Sequence, residues 1–156
     1  MTQYLIRIVA TFIGCIGFSI FFNIKKERLL HAAILGTLSC AIFLFCEKVL
    51  PGDVFLSNMI PALICTLLSE LSARWKKAPA IVFILPSIII LIPGGSFYYT
   101  MSYLVSGNQK LFQEWGGRTL LSALGISVGI MVASFVFYEV LNIIQKLKKN
   151  VETRKK

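Results

Sequence analysis

The sequence predicts an all-α fold: a polytopic membrane helix bundle of about five transmembrane helices, the fourth of them discontinuous. Three observations predict it. Hydrophobic residues make up 56% of the 156-residue chain and its mean hydropathy is +0.78, more apolar surface than a soluble domain of this size can bury. Apolar runs cover most of the length and leave no polar stretch long enough for a soluble domain, so residues 1–156 read as one integral membrane domain. Lastly, proline and glycine interrupt the fourth run, where lipid offers no water to the backbone groups they release.

Taken in order, the predicted spans are residues 4–22, 29–46, 54–73, 78–93 and 118–144, followed by a basic tail at 145–156. At 1.5 Å per residue, an 18-residue run covers about 27 Å and spans; the fourth covers only about 24 Å and is marginal. The first segment carries its positive charge after the apolar run, with no A-x-A-like site behind it, so it reads as an N-out anchor rather than a cleaved leader. Gly14 and Gly17 in the first segment, and Gly125 and Gly129 in the fifth, have helix-packing spacing. The "WGGR" run at 115–118 reads as an interfacial turn before the fifth helix.

The net charge of +9 is placed for topology rather than for nucleic acid. Twelve cations (Lys25, Lys26, Arg28, Arg74, Lys76, Lys77 and six in the tail) fall on one side. Four (Arg7, Lys48, Lys110 and Arg118) fall on the other. The bias puts the N-terminus outside and the C-terminus inside, with the inner lysines against anionic lipid. Cys15, Cys40, Cys46 and Cys65 lack CxxC spacing and read as small packing residues. His31 is the only histidine, so no metal site and no cofactor is expected, and no cysteine has the partners a nucleophile needs. There is no Walker A sequence either; the chain does not read as an enzyme.

The break carries the candidate site. Pro86 and Pro93 should each kink the fourth segment, and Gly94 and Gly95 can then turn the chain at positive φ. Ser96 is a candidate N-cap for a short helix over 97–106 that stops at Gly107 and Asn108. Two placements stay open. A re-entrant half-helix would aim its free N–H groups at a cavity and favour a carboxylate. An outer interfacial helix would use Tyr98, Tyr99 and Tyr103 as an aromatic belt. Two acids lie near inner helix ends. Glu70, four residues before Arg74, suggests an interfacial ion pair, and either Glu70 or Glu139 could couple to protons if it faced a cavity.

Two stretches, "GFSIFFNIKKERLLHAAILG" and "SELSARWKKAPAIVFILPSIIILIPGGSFYYTM", resemble the threonine/serine exporter family of bacterial membrane proteins. The match is to its smaller component, equivalent to the C-terminal half of longer exporters. An E-x-x-A-R-x-x-K-x-P run falls on Glu70, Ala73, Arg74, Lys77 and Pro79, followed by Pro86, Pro93, Gly94, Tyr99 and Thr100. Ser87 and Ile90 stand where the family pattern has a glycine and a middle proline. The resemblance implies a bacterial cytoplasmic membrane protein exporting small carboxylate-bearing solutes, threonine and serine or dicarboxylates such as succinate. It also implies a second membrane subunit of the same family; a second copy of this chain is the other way to complete it. Joined to the break, it makes Pro93, Gly94, Gly95, Ser96, Tyr99 and Thr100 the expected substrate contacts. The competing expectation is a non-transporting subunit that stabilises a partner transporter.

Overall fold

The computed structural model describes residues 2–154, with side chains through Leu147; the rest of the predicted basic tail lies outside the described side chains. The described chain is all-helical: α1 (Thr2–Phe21), α2 (Lys26–Val49), α3 (Val54–Trp75), α4 (Ile81–Ile89), α5 (Gly94–Val105) and α6 (Gln109–Arg154). Helices α1, α2, α3 and α6 are long and apolar enough to cross a membrane, and α4 with α5, bent by 54° at their junction, makes a fifth when counted as one span. This is a multi-pass membrane protein.

Local chemistry sets most boundaries. Gly52 takes φ +99° in the α2–α3 turn, and the Asp53 carboxylate caps α3 by accepting from the Leu56 N–H at 2.9 Å. Gly107, at φ +73°, ends α5 where the sequence expects a stop. Asn108 then accepts from the Leu111 N–H at 3.3 Å and starts α6 at Gln109, nine residues before the expected 118. The "WGGR" run is therefore helix, not an interfacial turn. A Cβ at Gly116 would lie 3.5 Å from the Thr100 methyl, an ordinary contact distance, with α5 lying alongside α6.

Packing reads helix to helix. Cys15 of α1 sits against Gly36 of α2 and the Pro86 carbonyl of α4. Ser69 of α3 meets Ser87 of α4, and Leu91 packs with Ala62 and Ile126. These pairs make α3 and α4 antiparallel. They also put the α4–α5 break beside Ala62, about 12 Å along the axis from Val54 and about 20 Å from Trp75. Helix α6 runs parallel to α3 and approaches it closely at Gly125 and Gly129. A Cβ on Gly129 would come within 2.6 Å of the Met59 carbonyl oxygen and 2.9 Å of the Ala62 Cβ. The GxxxG pair of α6 is thus a helix-packing seam, as its spacing suggests. Gly14 and Gly17 are not: an added Cβ at either meets nothing within 4 Å. Because Ser122 and Gly125 already lie beside Asn58 and Phe55 near the start of α3, the stretch 109–121 of α6 extends past that end, with α5 packed along it.

The interior is small and partly polar. On α3 the buried residues include Ser57, Asn58, Cys65, Thr66 and Ser69, whereas Ile64 and Leu71 are exposed. That reversal suits a membrane, where lipid is as apolar as leucine and small residues let helices approach. Phe83 is the largest fully buried side chain. The hydroxyls of Ser19 and Thr66 are buried with no hydrogen-bond partner among the described residues, and that of Ser39 lies by the Cys65 thiol.

Candidate functional site

The break opens the interior. Residues 90–93 leave the helix, with Gly94 N–H donating to the Ile92 carbonyl at 2.7 Å and Phe97 N–H to the Pro93 carbonyl at 2.9 Å. The N–H groups of Gly95 and Ser96 meet no acceptor among the described residues. They open into a cleft of about 880 Å³ walled by α1, α2, α3, α6 and the break itself. The 12-residue α5 directs the positive end of its dipole into this space.

Several sequence expectations change here. Ser96 is not the N-cap: Pro93 holds that position, because a proline with φ −76° and no N–H enters a helix directly, and Ser96 becomes its third residue. Gly94 and Gly95 do not take positive φ. The turn is made at 90–93, and the glycines instead keep the cleft wall bare, since a Cβ at either would meet nothing within 4 Å. Pro86 stays inside α4, where its missing N–H leaves the Val82 carbonyl without a helical donor and its own carbonyl receives the Cys15 thiol at 3.7 Å. The 54° bend sends α5 onward from α4 rather than back beside it.

Pro93, Gly94, Gly95 and Ser96 all line the cleft. Tyr99 and Thr100 lie further along α5 and face α6. The Tyr99 ring sits 4.8 Å from that of Trp115, and Thr100 Oγ1 donates to the Ser96 carbonyl and pairs with Thr119 Oγ1 at 3.2 Å. Glu70 and Arg74 form no ion pair. They line a second cavity of about 510 Å³ at the far end of α3, together with Lys77 and Pro79, while the Arg74 guanidinium lies 5.4 Å from the Phe137 ring centroid. Glu139 is exposed on α6 and borders neither cavity.

The cleft also gathers residues the sequence reading left aside. Arg7 and Arg118 bring positive charge, and Glu47, Asp53 and Glu114 negative charge. Arg118 is engaged with Glu114 at 3.7 Å, a half-exposed pair worth little, and Asp53 is occupied by its cap. Arg7 and Glu47 have no ion-pair partner among the described residues. Buried Asn58 links to Ser122 at 3.3 Å on the cleft floor, and Pro61 leaves the Ser57 carbonyl without its helical donor. One signal was available: Arg7 stands within an apolar run, where an ionisable residue is a functional candidate by default.

The sequence model of the family described as threonine/serine exporter, ThrE, matches residues 7–136. The chain belongs to the threonine/serine exporter family. No curated protein and no solved structure matches it. The match begins at Arg7 and takes in every residue that lines either cavity of this exporter-family chain. It is an exporter-type membrane protein, of a transporter rather than an enzyme family. Ser87 is buried against Ser69, and Ile90 opens the break without a proline.

Proposed function

We propose that the chain is one subunit of an exporter for small zwitterionic amino acids of the threonine and serine class, and that the cleft at the α4–α5 break binds them. The observation that carries this is the pair of acceptor-free N–H groups at Gly95 and Ser96 opening into the same space as unpaired Arg7 and Glu47. A carboxylate fits the helix end and Arg7. An ammonium fits Glu47, and the short side chain meets the polar floor at Asn58 and Ser122. Dicarboxylates such as succinate share the first contact, but their second carboxylate would meet Glu47 and Glu114. Twelve inner cations support an N-out, C-in orientation in a bacterial cytoplasmic membrane, with anionic lipid at the inner face. A second membrane subunit of the family completes the exporter, or a second copy of the chain does so.

The test is reconstitution into proteoliposomes, with and without the membrane protein that co-purifies with the tagged chain. Threonine, serine and succinate are each followed as labelled solutes. The two-subunit preparation should move threonine and serine in preference to succinate, and either subunit alone should not. Arg7→Gln should raise the half-saturating concentration roughly ten- to a hundredfold, the loss expected for a charge-assisted contact, with Arg7→Lys between. Transport by the partner alone would make this chain a stabilising subunit. Unchanged threonine transport in assembled Arg7→Gln would remove the cleft from the pathway.

A further inference from the structure

The two cavities lie at opposite ends of α3, and the buried face of α3 joins them. Ser57 and Asn58 reach the outer cleft; Glu70 and Ala73 reach the inner cavity. Between them, Cys65, Thr66 and Ser69 are fully buried. Ser39 from α2 and Ser87 from α4, both of which pack on α3, are equally buried, and Ser19 is buried on α1, which packs on α2 and α4. Asn58 to Glu70 is about 18 Å of helix, so this polar seam crosses the half of the bundle that the cleft does not.

Small polar residues alone would be ordinary packing. Their hydrogen bonding is not ordinary. A hydroxyl on a membrane helix can satisfy itself by donating to a carbonyl one turn back, as Thr37, Ser87, Thr100 and Thr119 all do in this chain. Thr66 in the seam and Ser19 on α1 do not, and their oxygens have no partner among the described residues although both are fully buried, whereas the Ser39 hydroxyl lies by the Cys65 thiol. Groups that stay unsatisfied in one conformation are accounted for if a second conformation solvates them.

The wall able to provide that conformation is α4. It has nine residues and is detached at both ends, by the turn through Lys76–Ala80 and by the break at 90–93. It covers the seam through Ser69–Ser87 at 3.4 Å and the Pro86 carbonyl, which would stand 2.9 Å from a Cβ on Gly36. We propose that this seam is the inner half of the translocation path, shown here closed, and that α4 moves away from α3 to open it to the cavity at Glu70, Arg74 and Lys77. The proposal rests on the transporter reading above. It gives the unpartnered Thr66 hydroxyl water, or the polar groups of a small solute, as partners. The outer cleft open and the seam shut then make one of two alternating states.

The test uses the full chain with its partner in inverted vesicles of host membrane. In a background with the four native cysteines replaced by alanine, Ser69→Cys and Ser87→Cys are exposed to a charged, membrane-impermeant methanethiosulfonate. The control is Ala133→Cys, equally buried but on α6. Threonine transport is measured in the same vesicles. Seam positions should be modified at least about tenfold faster than the control, as expected of a region that opens far below the cost of global unfolding, and millimolar threonine should change the rate. Rates equal to the control in vesicles that still transport would overturn the path and leave the exporter reading standing. Fast modification in vesicles that move none of the candidate solutes would instead defeat the exporter reading, and the route with it, leaving a hydrated seam. Should the serine variants fail to accumulate, native Cys65, fully buried on the same face of α3, is the probe with the same outcomes.

Discussion

Gly129→Ala tests the packing of α6 on α3. The added methyl carbon would lie 2.6 Å from the Met59 carbonyl oxygen, 2.9 Å from the Ala62 Cβ and 3.1 Å from the Leu63 nitrogen. Ordinary contact begins near 3.4 Å, so the worst pair is short by about 0.8 Å. Two of the three opposing atoms are backbone, so no side-chain rotation relieves the overlap, and α6 must move off α3. Overpacking of this kind costs about 1–3 kcal/mol. The gain in helix propensity from Gly to Ala offsets about 1 kcal/mol of that, leaving a net loss of up to about 2 kcal/mol. At about 2–4 °C per kcal/mol for a chain of this size, the thermal midpoint in mild detergent should fall by up to about 8 °C. Gly14→Ala, on a helix face where the same methyl meets nothing within 4 Å, should leave the midpoint unchanged or raised. The double variant Gly129→Ala with Ala62→Gly should recover only part of the loss, because Met59 remains in the way. A midpoint for Gly129→Ala at or above that of Gly14→Ala would refute the close α3–α6 approach.

Thr66→Val keeps the shape and removes an unpartnered hydroxyl. It should hold or raise the thermal midpoint, by up to about 1–3 kcal/mol of stability, while slowing threonine efflux; a lower midpoint with normal efflux would make the hydroxyl purely structural. Asn108→Ala removes the α6 cap and should lower stability by about 0.5–2 kcal/mol, read as a fall in the same midpoint, whereas Ser96→Ala removes no cap and should leave it unchanged. For orientation, Lys77→Cys should be labelled by an impermeant thiol reagent only from the cytoplasmic side and Gly52→Cys only from outside; labelling of Lys77→Cys in intact cells would reverse the topology.

Much of this architecture is legible in the sequence because a bilayer makes backbone hydrogen bonding local. Each spanning stretch must satisfy itself as a helix, so apolar length alone locates α1, α2 and α3 to within a few residues. The same constraint makes the Pro93 break visible, and Gly107 and Asn108 mark the end of α5 by their own turn and cap chemistry. What lies between helices is a different matter. Lipid is as apolar as a protein core, so hydropathy does not say which face of a span turns inward, nor how far it slides along its neighbour. Hence Gly14 and Gly17 look as much like a seam as Gly125 and Gly129, and only the second pair is one. Arg7 and Arg118 look like topology markers until α1 and α6 carry them to the same cleft as Gly95. The sequence sets Tyr99 and Thr100 just after the break, and only the rotation of α5 sets them against Trp115 and Thr119. Helix identity is written in one-dimensional composition; the cleft and the polar seam depend on rotations and offsets between helices, which side-chain packing decides only after the helices meet.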